Sequence, residues 1–303
     1  MRHRERLNRI RPGRGSAPEP APFPRAARIL GTIIAPTTLV TALLFYFGAR
    51  HANWFCRHFG VHYTTLDFSP QDYLIRSSDG LFVPMAALAV TGLVLLWGFR
   101  LLRRTLRPPA WDATLRVLTP VTVGLGVVLA GAGLANIADP ALLYDYPGLP
   151  GLGLAAGFAL FMVAQWLHRE RTHQRRRAAF AALESVCTFV LISVGLFWAV
   201  NDYSAAIGEL RGAQYEQALP TMPDAVVLSS EPLGIAAPGI TETAYQSADG
   251  KSRFRYDGLV LVLESGNKLF LLPKTWTPET GGAIVLARTD SIELEFNLPA
   301  PGR

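Results

Sequence analysis

Residues Phe180 to Tyr203 read FAALESVCTFVLISVGLFWAVNDY, an apolar run of about 20 residues, and no other stretch constrains the fold so strongly. Such a run crosses a bilayer only as a helix, because an open strand in hydrocarbon leaves its N–H and C=O groups without partners. Directly before it lies HRERTHQRRR, and after it come about a hundred residues with no further span-length apolar run. The helix therefore joins a membrane part to a water-soluble part, and its basic flank sets the orientation of both.

Half of the 303 residues are hydrophobic and 17% are charged, a balance that belongs to a multi-pass membrane protein with one small domain. The net charge of +6 raises the question of nucleic acid, and the positions of the arginines answer it. They gather at the ends of apolar runs: Arg2 to Arg28, then Arg100, Arg103, Arg104, Arg107 and Arg116, then Arg169, Arg171, Arg175, Arg176 and Arg177. This is topology charge, so nucleic acid is not an expected partner. Beyond Tyr203 acidic residues outnumber Lys and Arg. The two cysteines, Cys56 and Cys187, offer no disulfide framework. Lysine occurs only at 251, 268 and 274 against abundant Arg, Ala and Gly, the coding bias of a high-GC bacterial genome.

Residues 1–28 are rich in Pro, Gly and Arg and read as a disordered basic cytoplasmic tail, which either binds anionic headgroups or only enforces orientation. Ile29 to Phe47 is the first expected span, kinked at Pro36 with Thr37 and Thr38 beside it; it is too long and too far from the N-terminus for a signal peptide. The external loop that follows holds Trp54, Phe55, Phe59 and Tyr63, which suit the membrane interface. In it, Ser69, Pro70 and Asp72 open a short surface helix expected to end at Ser77, before Asp79-Gly80 turns the chain into the second span, Leu81 to Leu102. Pro108 and Pro109 break an internal loop, and the third and fourth spans are Val117 to Ile137 and Gly151 to Leu167. Their glycines, including Gly153 and Gly157 in G-x-x-x-G spacing, fit close helix packing, with a pore lining as the alternative. Five crossings put every arginine-rich connector in the cytoplasm and leave only Arg50, Arg57 and Arg76 in the two outer loops.

Past Tyr203 the last helix extends or forms a neck up to Pro220. Strands are expected at Ala225 to Ser229, Phe254 to Leu263, Lys268 to Leu272, Ala283 to Ala287 and Ile292 to Leu298, with a hairpin turn at ESGN. The fold class is thus an α-helical integral membrane bundle of five transmembrane helices (29–203) carrying a small C-terminal extracytoplasmic antiparallel β domain (204–303).

Two stretches, HFGVHYTTLDFSPQDYLIRSSDGLFVP and FRYDGLVLVLESGNKLFLLPKTW with AIVLARTDSIELEF, resemble multi-pass membrane proteins common in high-GC bacteria. No activity is assigned to that group. The resemblance implies a bacterial plasma-membrane location with the same topology and transfers no catalytic or binding residue.

The densest set of metal-type side chains is His51, Cys56, His58 and His62, and imidazole with thiolate would suit zinc or copper. The alternative is a set of interfacial polar residues on a helix extension interrupted at Gly60. Residues 204–303 contain neither His nor Cys, which removes the commonest general base and the thiol nucleophile, and no Gly-rich phosphate loop precedes a helix there. Ionisable residues within the spans are few: the interiors hold mainly Gln165 and hydroxyls, with Glu184 and Asn136 near span ends. The sequence therefore points to a protein without catalytic activity that presents its β domain for binding, sensing or scaffolding. Alternatives are a small transporter or channel subunit and a metal-binding envelope protein. Tyr63, Asp67, Asp72, Tyr73 and Trp276 are the binding candidates. Expected partners are the lipid bilayer, an envelope protein and a second copy of the chain.

Overall fold

A computed structural model describes residues 23–172, 178–246, 252–279 and 281–298 of the chain. Among these residues five α-helices come first: α1 (Phe23–His58), α2 (Pro70–Thr105), α3 (Pro108–Ala138), α4 (Leu149–Thr172) and α5 (Ala178–Ala218). Six strands follow among the same residues: β1 (Asp224–Ser229), β2 (Thr241–Gln246), β3 (Ser252–Ser265), β4 (Lys268–Pro273), β5 (Ile284–Ala287) and β6 (Ile292–Asn297). The chain forms two compact units, residues 1–40 and residues 41–303. Most of the expected tail lies outside the described residues, but its last six residues, from Phe23, already belong to α1.

Among the described residues four helical segments are long and apolar enough to cross a membrane: Gly80–Thr105, Pro108–Ala138, Leu149–Arg169 and Ala182–Thr221. The sequence led to five. The span expected at Ile29 to Phe47 runs along α1, whose side chains are described only from Ile34 onward, where Pro36, Thr37 and Thr38 and then Arg50 and His51 dilute the apolar residues. Only 11% of the α2 window and 17% of the α3 and α5 windows is buried within the protein, so most of their Leu, Val and Phe side chains need an apolar solvent.

Close approach between these helices depends on the absence of a Cβ. A Cβ on Gly157 of α4 would lie 2.7 Å from the Gly126 carbonyl oxygen of α3, and one on Gly133 would lie 2.6 Å from the Pro150 oxygen. Gly151 of α4 and Gly195 of α5 meet in the same way. At Gly126, Gly133, Gly151, Gly157 and Gly195 the missing side chain serves close packing, whereas a Cβ on Gly124 or Gly131 would meet nothing within 4 Å.

Two expectations about helix ends are corrected. The surface helix beginning at Pro70 does not stop at Ser77: it continues as α2, and Asp79-Gly80 makes no turn. Gly80 is instead a packing position, since a Cβ there would stand 2.4 Å from the Phe47 ring of α1. Pro84 lies inside this long helix. Likewise Pro108 opens α3 at its first turn, so only two residues separate α2 from α3.

The 41 residues of α5 make a helix about 60 Å long, roughly twice the thickness of the hydrocarbon layer. A single crossing uses only about half of that length, and the C-terminal half carries a second set of contacts. There it packs against α1, where Gly208 sits on Trp54 and Phe55 and Gly212 sits on the His58 side chain.

The strands form one antiparallel sheet in the order β5-β4-β3-β1-β6, with β2 pairing the first half of β3. Every expected strand is present, and β2 is an addition. One face of the sheet carries Val260, Phe270 and Leu272, while the other buries Ala225, Val227, Tyr256, Leu259, Leu269 and Leu271. On that second face the Leu233 N–H donates to the Tyr256 hydroxyl at 2.7 Å, fastening the loop after β1 over the core.

Candidate functional site

The side chains singled out in the sequence meet where the sheet joins the helix ends. Phe55, Cys56 and Phe59 of α1, Leu66 in the 3-10 turn Tyr63–Leu66, and Leu219 after α5 form one buried cluster with Val260, Phe270, Leu272 and Trp276. The helices and the sheet thus share a core, and neither closes its apolar surface without the other. The Tyr215 hydroxyl of α5 adds a hydrogen bond to the Val262 carbonyl of β3 at 3.1 Å.

This junction determines what the expected metal ligands do. His51 is 4% exposed and stacks against Phe47 on one side and Phe55 on the other. Cys56 is fully buried in the shared core, and burial pushes its thiol up to about 12, so it is not a thiolate at neutral pH. His58 Nε2 lies 2.9 Å from Glu216 of α5, and His62 Nδ1 lies 2.7 Å from the Thr64 hydroxyl, beyond the end of the helix. Four residues that are close in sequence are dispersed by the turn of the helix and by Gly60. Among the described residues no group of three or more His, Cys, Asp or Glu side chains is placed to hold a metal ion.

The five binding candidates are mostly built into the junction. Ser69 and Asp72 form a reciprocal cap at the start of α2: the Ser69 N–H donates to Asp72 Oδ2 at 2.8 Å, and the Asp72 N–H donates to Ser69 Oγ at 3.2 Å. The same carboxylate oxygen accepts from the Ser265 hydroxyl at 2.9 Å, which ties the β3–β4 turn to the loop between α1 and α2. Burial alone would raise the Asp72 carboxyl. The hydrogen bonds from Ser69 and Ser265, with the Arg76 charge nearby, hold it below the usual carboxylate range instead.

Asp67 adopts a left-handed backbone at φ 48° and lies against the turn glycine Gly266. Tyr73 packs edge-on to Phe45 and against Phe68, whose other neighbour is the Arg76 guanidinium, 4.8 Å from its ring centre. Tyr63 is half-buried beside the shared core. Trp276 is 7% exposed, with the Gly281 backbone closing over its indole. Phe55 and Phe59, expected at a membrane interface, are core residues too.

A cavity of about 420 Å³ remains between the helix ends and β3, lined by His51, Phe55, Arg76, Arg211, Tyr215 and Val262 among others. Its two guanidinium groups come from helices far apart in sequence, which sequence reasoning had no means of pairing. A second cavity lies among α3, α4 and α5, where Gln165 and Glu184, noted in the sequence as the polar residues of the spans, are hydrogen-bonded at 2.5 Å.

Comparison of the chain with protein-family models, with curated proteins and with solved structures gives no match.

Proposed function

We propose that the chain is a non-enzymatic protein of a bacterial plasma membrane whose helices hold the β sheet outside the cell membrane as a binding or sensing module. In this reading the N-terminus is cytoplasmic, α1 adds a fifth crossing, and the arginine-rich connectors 100–107 and 169–177 face the cytoplasm. The loop between α1 and α2 and the sheet lie on one side, and the four crossings of α2 to α5 agree with their contact.

The observation that carries the reading is the shared core. A load or ligand on the sheet acts directly on the ends of α1 and α5, because Phe55, Phe59, Leu219, Phe270 and Trp276 pack as one body. The surface left for a partner is the rim of the sheet: all six residues of β2 are exposed, as are Phe296 near the end of β6 and Leu298 just beyond it. Such an edge accepts an added strand or an apolar contact from an envelope protein or a second copy of the chain.

The test is crosslinking in intact cells of the chain tagged at its C-terminus, after checking that external protease reaches the tag. We expect protease access and a reproducible envelope neighbour that is lost in Phe296→Glu/Leu298→Glu. A tag protected until the membrane is permeabilised would overturn the orientation. An accessible tag with no neighbour that depends on β6 would overturn the binding role of this rim.

A further inference from the structure

The cavity among α3, α4 and α5 has a volume of about 530 Å³ and is built in two parts. Val123, Phe158, Phe161, Ala164 and Leu191 make an apolar wall within the spanning segments. At one end, Gln165, His168, Arg169 and Glu184 collect polar and charged groups where α4 leaves its spanning segment and α5 enters its own. The Gln165 amide donates to Glu184 Oε1 at 2.5 Å, and the Arg169 guanidinium stands 3.5 Å from Glu184 Oε2. Carboxylate, guanidinium and imidazole therefore lie together at the ends of two spanning segments, beside an apolar slot.

We infer that this cavity binds one phospholipid with a primary-amine headgroup, its ammonium on Glu184, its phosphate on Arg169 and His168, and an acyl chain along Phe158, Phe161 and Leu191. The occupant follows from position and charge. A cavity within spanning segments is bathed in acyl chains, and its polar end offers both signs of charge some ångströms apart, as a zwitterionic headgroup does. A guanidinium has five N–H donors, so one long contact to Glu184 leaves it donors for a phosphate oxygen. Glu184 disfavours a headgroup whose only charge is negative, and a quaternary ammonium has no N–H to give the carboxylate. The inference requires that α3, α4 and α5 cross a bilayer and is independent of any binding role for the sheet.

The test is native mass spectrometry of the full chain released from nanodiscs of phosphatidylethanolamine mixed with an equal amount of phosphatidylglycerol or phosphatidylcholine. We expect one retained phosphatidylethanolamine per chain, preferred over either competitor by about threefold to tenfold, the range for a charge-assisted hydrogen bond at a partly exposed site. Glu184→Gln keeps shape and the capacity to bond Gln165, so it should fold and elute as the wild type does while losing the preference. Arg169→Ala should lower retention of all three lipids. Equal retention of the three lipids by the wild type, no retained lipid, or an unchanged preference in Glu184→Gln would each overturn the inference. Failure of the chain to enter nanodiscs at all would refute the membrane reading instead.

Discussion

Gly48→Ala isolates the crossing of α1 and α2 on which the junction stands. A Cβ added at Gly48 would lie 1.9 Å from the Tyr73 carbonyl oxygen, 2.6 Å from its carbonyl carbon and 2.9 Å from its Cα. All three atoms are backbone, so no change of rotamer relieves the contact, and the helices must part by roughly 1.5 Å to restore van der Waals separation. That movement withdraws Phe47 from Gly80 and Phe45 from the Tyr73 ring, and it strains the Asp72 cap one residue away. The cost belongs at the upper end for overpacking, about 3 kcal/mol, or roughly a hundredfold in the folded population. The control is Gly92→Ala on α2, the other helix of the crossing, where an added Cβ meets nothing within 4 Å. Thermal unfolding in detergent, followed by tryptophan fluorescence and by size-exclusion elution, should show a marked loss for Gly48→Ala and little change for Gly92→Ala. Equal melting of Gly48→Ala and wild type, or an equal loss in both variants, would refute the account of the crossing.

Three more outcomes follow from the junction. In detergent at pH 8 maleimide should modify Cys187 and leave Cys56 untouched, since the Cys56 thiol ionises only near 12; mass spectrometry of the labelled chain reads this, and rapid double labelling would contradict the burial. The Asp72 carboxyl is depressed in the folded state, so its contribution is complete above the unfolded value, about pH 4, and is lost as pH falls through the lower folded value. Unfolding followed from neutral pH to well below about pH 4 should therefore show an acid loss that Asp72→Asn reduces, and an identical pH profile in that variant would count against the cap. Zinc and copper contents of the wild type and of His58→Ala/His62→Ala should match in elemental analysis, because His58 is bonded to Glu216 and His62 to Thr64; a drop in the variant would restore the metal reading.

Two stretches far apart in the sequence, the loop around Asp67 and Asp72 and the turn at Ser265 and Gly266, are the two sides of one contact. Neither stretch shows this by itself. Asp72 was legible as a capping residue because a cap is a local event three residues long. That the same oxygen also holds Ser265, 193 positions away, was not.

What the sequence determined by itself is what local physics determines. Long apolar runs become helices because hydrocarbon leaves the backbone no other way to pair its polar groups, and alternation at IELEF and in FRYDGLVLVL becomes strand. The strand β2 escaped notice because TETAYQ has all six residues exposed and so leaves no buried stripe to mark it. Tertiary structure decided the rest. Asp79-Gly80 reads as a turn until the Phe47 ring occupies the space a side chain would need, and Cys56 reads as a ligand until β4 and Trp276 bury it. A sequence specifies the backbone each segment prefers; which face of a segment meets which other segment depends on distant packing, and at this junction that packing turns the expected surface residues into core.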